Sequence, residues 1–158
     1  MALGADGNIY ILSRAYYDGS DYGPLLITLS PEGSIQQSKV YHFVDISSSS
    51  SYATSHPHGG YVLTARGRLP PRSSYKVFII KVTGDGDVEW SANIDDTVPA
   101  DDRAIYVREL SVTDEGDIIV MGDADRVGSS VHDTFLVKLS ATGSLLWWKT
   151  YGIPGYDF

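Results

Sequence analysis

Three groups of side chains in this sequence have types and spacings that could do chemistry. His56-Pro57-His58 places two imidazoles two residues apart. On a strand that spacing sends both rings to one face, where they would suit a divalent metal. Pro57 and the following Gly59-Gly60 instead mark a turn, and no carboxylate has an assigned place beside it. The second group is acidic: Asp85 and Asp87, Asp95-Asp96, Asp101-Asp102, and Asp123 with Asp125. Calcium takes several oxygen ligands, so such clusters are its natural candidates, although none has the D-x-(D/N)-x-(D/N)-G spacing of a calcium loop. Asp85 and Asp87 flank a hairpin glycine, which accounts for both. The metal candidates are therefore Asp101, Asp102, Asp123, Asp125, His56 and His58, with Ca2+ the cation in view and no cofactor expected. His42 and His132 stand alone. The third group is any pair of carboxylates poised for glycoside hydrolysis, which requires a separation of about 5 to 9.5 Å that chain spacing does not define. No Ser-His-Asp order, glycine-rich phosphate loop or H-E-x-x-H occurs, and no residue is assigned a catalytic role.

The elements that would position these groups repeat three times. Gly7-Asn8-Ile9-Tyr10-Ile11-Leu12-Ser13 matches Gly59-Gly60-Tyr61-Val62-Leu63-Thr64-Ala65 and Gly116-Asp117-Ile118-Ile119-Val120-Met121-Gly122, at offsets of 52 and 57. A second block, Leu26 to Ile35, matches Ile79 to Val88 and Leu136 to Leu145 at offsets of 53 and 57. The copies run on through Gln37, Trp90 and Trp147 to Tyr41, Ile94 and Tyr151. Gly33, Gly86 and Gly143 divide strand-like runs, where a left-handed backbone favours glycine. Each unit is therefore expected to be four strands in two hairpins over about 55 residues. The near-continuous apolar runs predict strands buried on both faces. Ala104 to Val112 is the clearest first strand, and Ser48 to Ser55 is its counterpart, which would take the serine run Ser47 to Ser51 into a strand. Met1 aligns with Leu110, so the first copy carries only the end of its first strand.

Four-stranded units of this period resemble the blades of bacterial and archaeal β-propeller repeat proteins, with signatures like D-G-G-Y-(I/V)-(L/V)-x-G and K-L-D-x-x-G-x-x-x-W-x-K-T-Y-G-G. The third copy carries most of this, from Glu115-Gly116-Asp117 to Lys138-Leu139-Ser140-Ala141-Thr142-Gly143 and Trp148-Lys149-Thr150-Tyr151-Gly152. The second keeps Lys81, Gly86 and Trp90; the first has Thr28 for the lysine and Gln37 for the tryptophan. The resemblance implies an all-β propeller of three blades, about 1–43, 44–96 and 97–158, forming a single region 1–158. Such a run is either part of a longer ring or half of a six-bladed ring closed by two chains, and Trp90 and Trp147 are expected between adjacent blades. A sialidase-type S-x-D-x-G-x-T-W box is echoed at Thr83 to Trp90 but has Asp87 at its glycine. A quinoprotein-type docking pattern at Ser140 to Trp147 is one residue short.

Composition narrows the partners. The 158 residues hold 12 Lys plus Arg against 20 Asp plus Glu, a net charge of −8, and no cysteine. An acidic surface argues against nucleic acid, and the absence of thiols excludes disulfides, thiolate metal sites and a cysteine nucleophile. No apolar run approaches the roughly 20 residues of a membrane helix, and the first residues show no secretory signal. Asn, Gln and Met are two each, a depletion that points towards a hot source, but charged residues are only 20%. The expected function is a non-enzymatic propeller scaffold that binds a protein or glycan through its loops or axial face and associates with itself or with neighbouring blades. The alternatives are an enzyme module of glycosidase or lyase style, or a self-assembling filament or surface-layer subunit. An extracellular or cell-surface setting would follow if the chain belongs to a longer protein.

Overall fold

The computed structural model describes residues 1–4, 7–17, 21–41, 45–46, 52–68, 76–94, 105–125 and 132–152. The chain is all-β, and its described residues form thirteen antiparallel strands in three sheets. The first sheet has the order β1 (Ala2–Leu3), β2 (Ile9–Tyr17), β3 (Asp21–Leu29), β4 (Ile35–Val40). In the second, β7 (Tyr61–Arg68), β8 (Lys76–Val82) and β9 (Val88–Asn93) follow one another, and the first lane is shared by β5 (Asp45–Ile46) and β6 (Ala53–Ser55), both paired to β7. The third has the order β10 (Ile105–Val112), β11 (Ile118–Asp125), β12 (His132–Leu139), β13 (Leu145–Tyr151). Ser47 to Ser51, expected to join a strand, lie outside the described residues. Among those described, no helix is long and apolar enough to cross a membrane.

The sequence repeat is also a repeat of hydrogen-bonded register. Ala2 faces Tyr10, Thr54 faces Val62 and Ser111 faces Ile119, three pairs at one repeat position. A bulge falls at the same place in each last hairpin, between Thr28 and Leu29, Lys81 and Val82, and Lys138 and Leu139. The turns repeat too. In the hairpins after β3, β8 and β12 the amides of Ser30, Thr83 and Ser140 donate to the carbonyls of Ser34, Asp87 and Ser144 at 2.8 Å. Glycines with positive φ close them, Gly33 at 86°, Gly86 at 74° and Gly143 at 82°, a region that costs other residues about 1–2 kcal/mol.

Period-two alternation sorts each strand's residues between two neighbours. In the second sheet Tyr61, Leu63, Ala65, Phe78, Ile80 and Val82 pack with Tyr10 and Leu26 of the first. The opposite face, with Val62, Val77 and Ile79, packs with Val107, Val120, Phe135 and Val137 of the third. Burial on both faces is therefore a property of the middle sheet. β11 and β12 of the third sheet bury every second residue only, which corrects the expectation for the outer sheets: a continuous apolar run there has a neighbour on one side alone.

Candidate functional site

Each seam between sheets is fastened at the same point, where the last strand of one sheet meets the final hairpin of the next. At the first seam Gln37 Nε2 donates to the carbonyl of Asp85 at 2.7 Å, and the Tyr41 hydroxyl donates to that of Gly86 at 2.8 Å. Lys39 pairs with Asp87 at 2.5 Å. Burial, reinforced by the Asp87 charge, pushes the Tyr41 phenol up to about 12. At the second seam Trp90, the repeat counterpart of Gln37, donates from Nε1 to the carbonyl of Ala141 at 3.2 Å. Its ring lies on Gly143, where an added Cβ would come within 2.8 Å of it. Trp147, the third counterpart, is 37% exposed on the outer face of the third sheet, with the Lys149 ammonium 5.8 Å from its ring centre.

His56-Pro57-His58 forms part of the second seam. His56 occupies the turn position that serine or threonine holds in the hairpins beginning at Ser30, Thr83, Thr113 and Ser140. Its Nδ1 accepts the amide of His58 at 3.2 Å, as Ser30 Oγ accepts the amide of Glu32 and Ser140 Oγ that of Thr142. Nε2 meets the carbonyl of Gly116 at 3.1 Å, so this ring is neutral with its proton on Nε2. His58 Nε2 reaches the carbonyl of Glu115 at 3.2 Å. Burial lowers the His56 pKa, and the Gly116 bond opposes the shift only in part. Both rings are thus engaged with the backbone of the neighbouring sheet.

The acidic candidates separate. Asp123 pairs with Arg108 at 2.5 Å and Asp125 with His132 at 2.6 Å. Asp101, Asp102, Asp95, Asp96 and His42 lie outside the described residues. Among those described, no three His, Cys, Asp or Glu side chains gather as a metal set.

A cleft of about 460 Å³ opens between the first two sheets, lined by Asn8, Tyr10, Thr28, Gln36, Gln37, Gly84 and Asp85. The repeat explains it. In the second sheet Lys81 fills the corresponding space: its buried ammonium donates to the carbonyls of Gly59 at 2.7 Å and Val82 at 3.1 Å and lies 3.3 Å from Glu89. In the third sheet Lys138 reaches Asp117 at 2.8 Å. Thr28 stands at that position in the first sheet and is too short to occupy the space, while Gln36 replaces Glu89. The Lys-to-Thr departure is visible in the sequence, but its steric consequence is not: a long side chain lost from one copy of a packed repeat leaves a hole.

No family model matches this chain, and no curated protein matches it.

Proposed function

We propose that the chain is a run of three β-propeller blades and that it works as a binding scaffold, with the cleft between its first two sheets as a site for a neutral, hydroxyl-rich ligand of the glycan class. The propeller reading is supported by three copies of one four-lane sheet, stacked face to face in chain order through the same hairpin contact, as radially repeated sheets require. The single observation that carries the binding reading is the lining of the cleft. Two glutamines, an asparagine, a threonine and a tyrosine line it; amide and hydroxyl groups of this kind exchange hydrogen bonds with a sugar's hydroxyls, and Gln37 keeps an acceptor oxygen beside the Nε2 that it gives to Asp85. Among the described residues Asp85 is the one carboxylate in that lining, whereas glycosidic hydrolysis uses two flanking carboxylates; this favours binding over turnover.

The test fills the hole. Thr28→Lys restores the residue that the other two sheets carry at this position, so the variant is expected to fold and to occlude the cleft. Titration of wild type against a panel of oligosaccharides is expected to give saturable heat with at least one member, lost by tenfold or more in Thr28→Lys. Equal binding by both proteins, or release of reducing sugar that depends on Asp85, overturns the reading.

A further inference from the structure

The two outer sheets present the two halves of a contact that the chain makes twice internally. On the third sheet Trp147 and Tyr151 are 37% and 51% exposed, at the positions where Trp90 and Gln37, and then Ile94 and Tyr41, are engaged by a following sheet. On the first sheet Gly33 has nothing within 4 Å of the place where its Cβ would stand. The corresponding points at Gly86 and Gly143 are covered by Tyr41 and by Trp90. Behind that hairpin, Ile9, Ile11, Leu25, Ile27 and Leu29 are half-buried, while their counterparts Tyr61, Leu63, Phe78, Ile80 and Val82 in the second sheet, and Ile118, Val120, Phe135, Val137 and Leu139 in the third, are buried. One outer sheet therefore carries an unused knob, and the other an uncovered hairpin with a half-covered apolar face.

We infer that these two surfaces dock on each other between copies, so that the third sheet of one chain packs on the first sheet of a second copy. This goes beyond the glycan reading and does not depend on it; it rests on the propeller-type stacking. The repeat register assigns the contacts. Trp147 lies on Gly33 and donates from Nε1 to the carbonyl of Pro31, the counterpart of Ala141. The Tyr151 hydroxyl donates to the carbonyl of Gly33, as Tyr41 does to Gly86. Lys149 faces Ser34, at the place where Lys39 faces Asp87. A second copy is the occupant the surfaces specify, because both halves of a join already used twice lie on this one chain. Such a contact is heterologous, and its geometry decides whether it closes into a ring or continues as an open series.

The experiment is sedimentation of the 158-residue chain across a concentration series. Wild type is expected to associate, and Trp147→Gln, which places at this position the residue found naturally at Gln37, is expected to weaken association on the order of thirtyfold, as loss of a central interface tryptophan does. Its far-UV circular dichroism should match wild type. Ser34→Asp recreates the Lys39–Asp87 pair across copies and is expected to tighten association about two- to fivefold per contact, a gain that Lys149→Glu reverses. Val88→Ser, at an exposed apolar position of the middle sheet, should change nothing. A monomer at several hundred micromolar overturns the proposal, as does an oligomer indifferent to both Trp147→Gln and Ser34→Asp. Neither outcome touches the cleft, whose titration is read separately.

Discussion

The two seams of this molecule use one backbone plan and different chemistry. Between the first and second sheets the last strand meets the hairpin with an amide, an ammonium and a phenol, each aimed at a polar group. Between the second and third it meets the hairpin with an indole laid on a glycine, and two imidazoles close the adjoining turn. Exchanged hydrogen bonds gain little over water, about 1 kcal/mol each, whereas a packed aromatic ring contributes through area and contacts. The second seam should therefore be the stronger, and the first the place where a ligand cleft is tolerated.

Truncating the two counterpart residues is the most direct way to break that contrast. Trp90→Ala is expected to cost about 3 kcal/mol, the low end of the buried-aromatic range because the ring is half-buried, and Gln37→Ala about 1 kcal/mol, both read by urea unfolding. Equal losses would mean that the seams are energetically alike despite their chemistry.

Hairpin glycines sharpen the same point. Gly33 and Gly143 have φ values of 86° and 82°, so alanine at either meets the same left-handed penalty of about 1–2 kcal/mol. Only at Gly143 would the new methyl also collide with Trp90, adding roughly 1–3 kcal/mol of overpacking. The difference between Gly143→Ala and Gly33→Ala in thermal unfolding isolates the seam from the turn, and a difference near zero would deny that Trp90 is held there.

A smaller effect is expected at Lys81. Lys81→Met removes the donor that satisfies the Gly59 and Val82 carbonyls and should cost about 1–2 kcal/mol. Because Thr28 holds the same position with an open cleft above it, Thr28→Met should be close to neutral. A cost at Thr28 matching that at Lys81 would mean that the two positions are not counterparts.

Much of this was legible in the residues, because a repeat lets one copy be checked against another. Glycine at the hairpins, β-branched runs and the offsets define four strands in two hairpins per copy from the residues alone. The cleft was not legible. Its lining draws Asn8, Thr28 and Gln36 from three strands or turns and Asp85 from the next sheet, and whether Thr28 leaves a void depends on how the sheets stack. The His-Pro-His segment is legible as a turn from Pro57 and Gly59-Gly60, but the part its rings play in that turn is not. The structure shows one imidazole taking the place that a turn-capping hydroxyl holds in other hairpins of the chain. The fate of Trp147 was equally hidden, since burial of a tryptophan at a sheet face depends on a neighbour and not on its own strand.

His56 gives the mildest and most specific perturbation of the second seam. Its pKa in the folded chain lies below the ordinary 6.5 because burial disfavours the charged ring. The groups that bear on it are the Lys81 and His58 charges, which lower it further, and the Gly116 carbonyl and Glu89, which oppose. Protonation would fall on Nδ1, the atom that accepts the His58 amide, so charging the ring also breaks the turn cap. Because the unfolded chain takes up this proton more readily, the stability contributed by a neutral His56 is complete above pH 6.5. It declines as pH falls from 6.5 through the lower folded-state value. His56→Gln keeps a donor for Gly116 and removes the titration, so its unfolding free energy should be flatter than that of wild type across this window. Parallel pH profiles for the two proteins would mean that the ring is not held neutral at the seam.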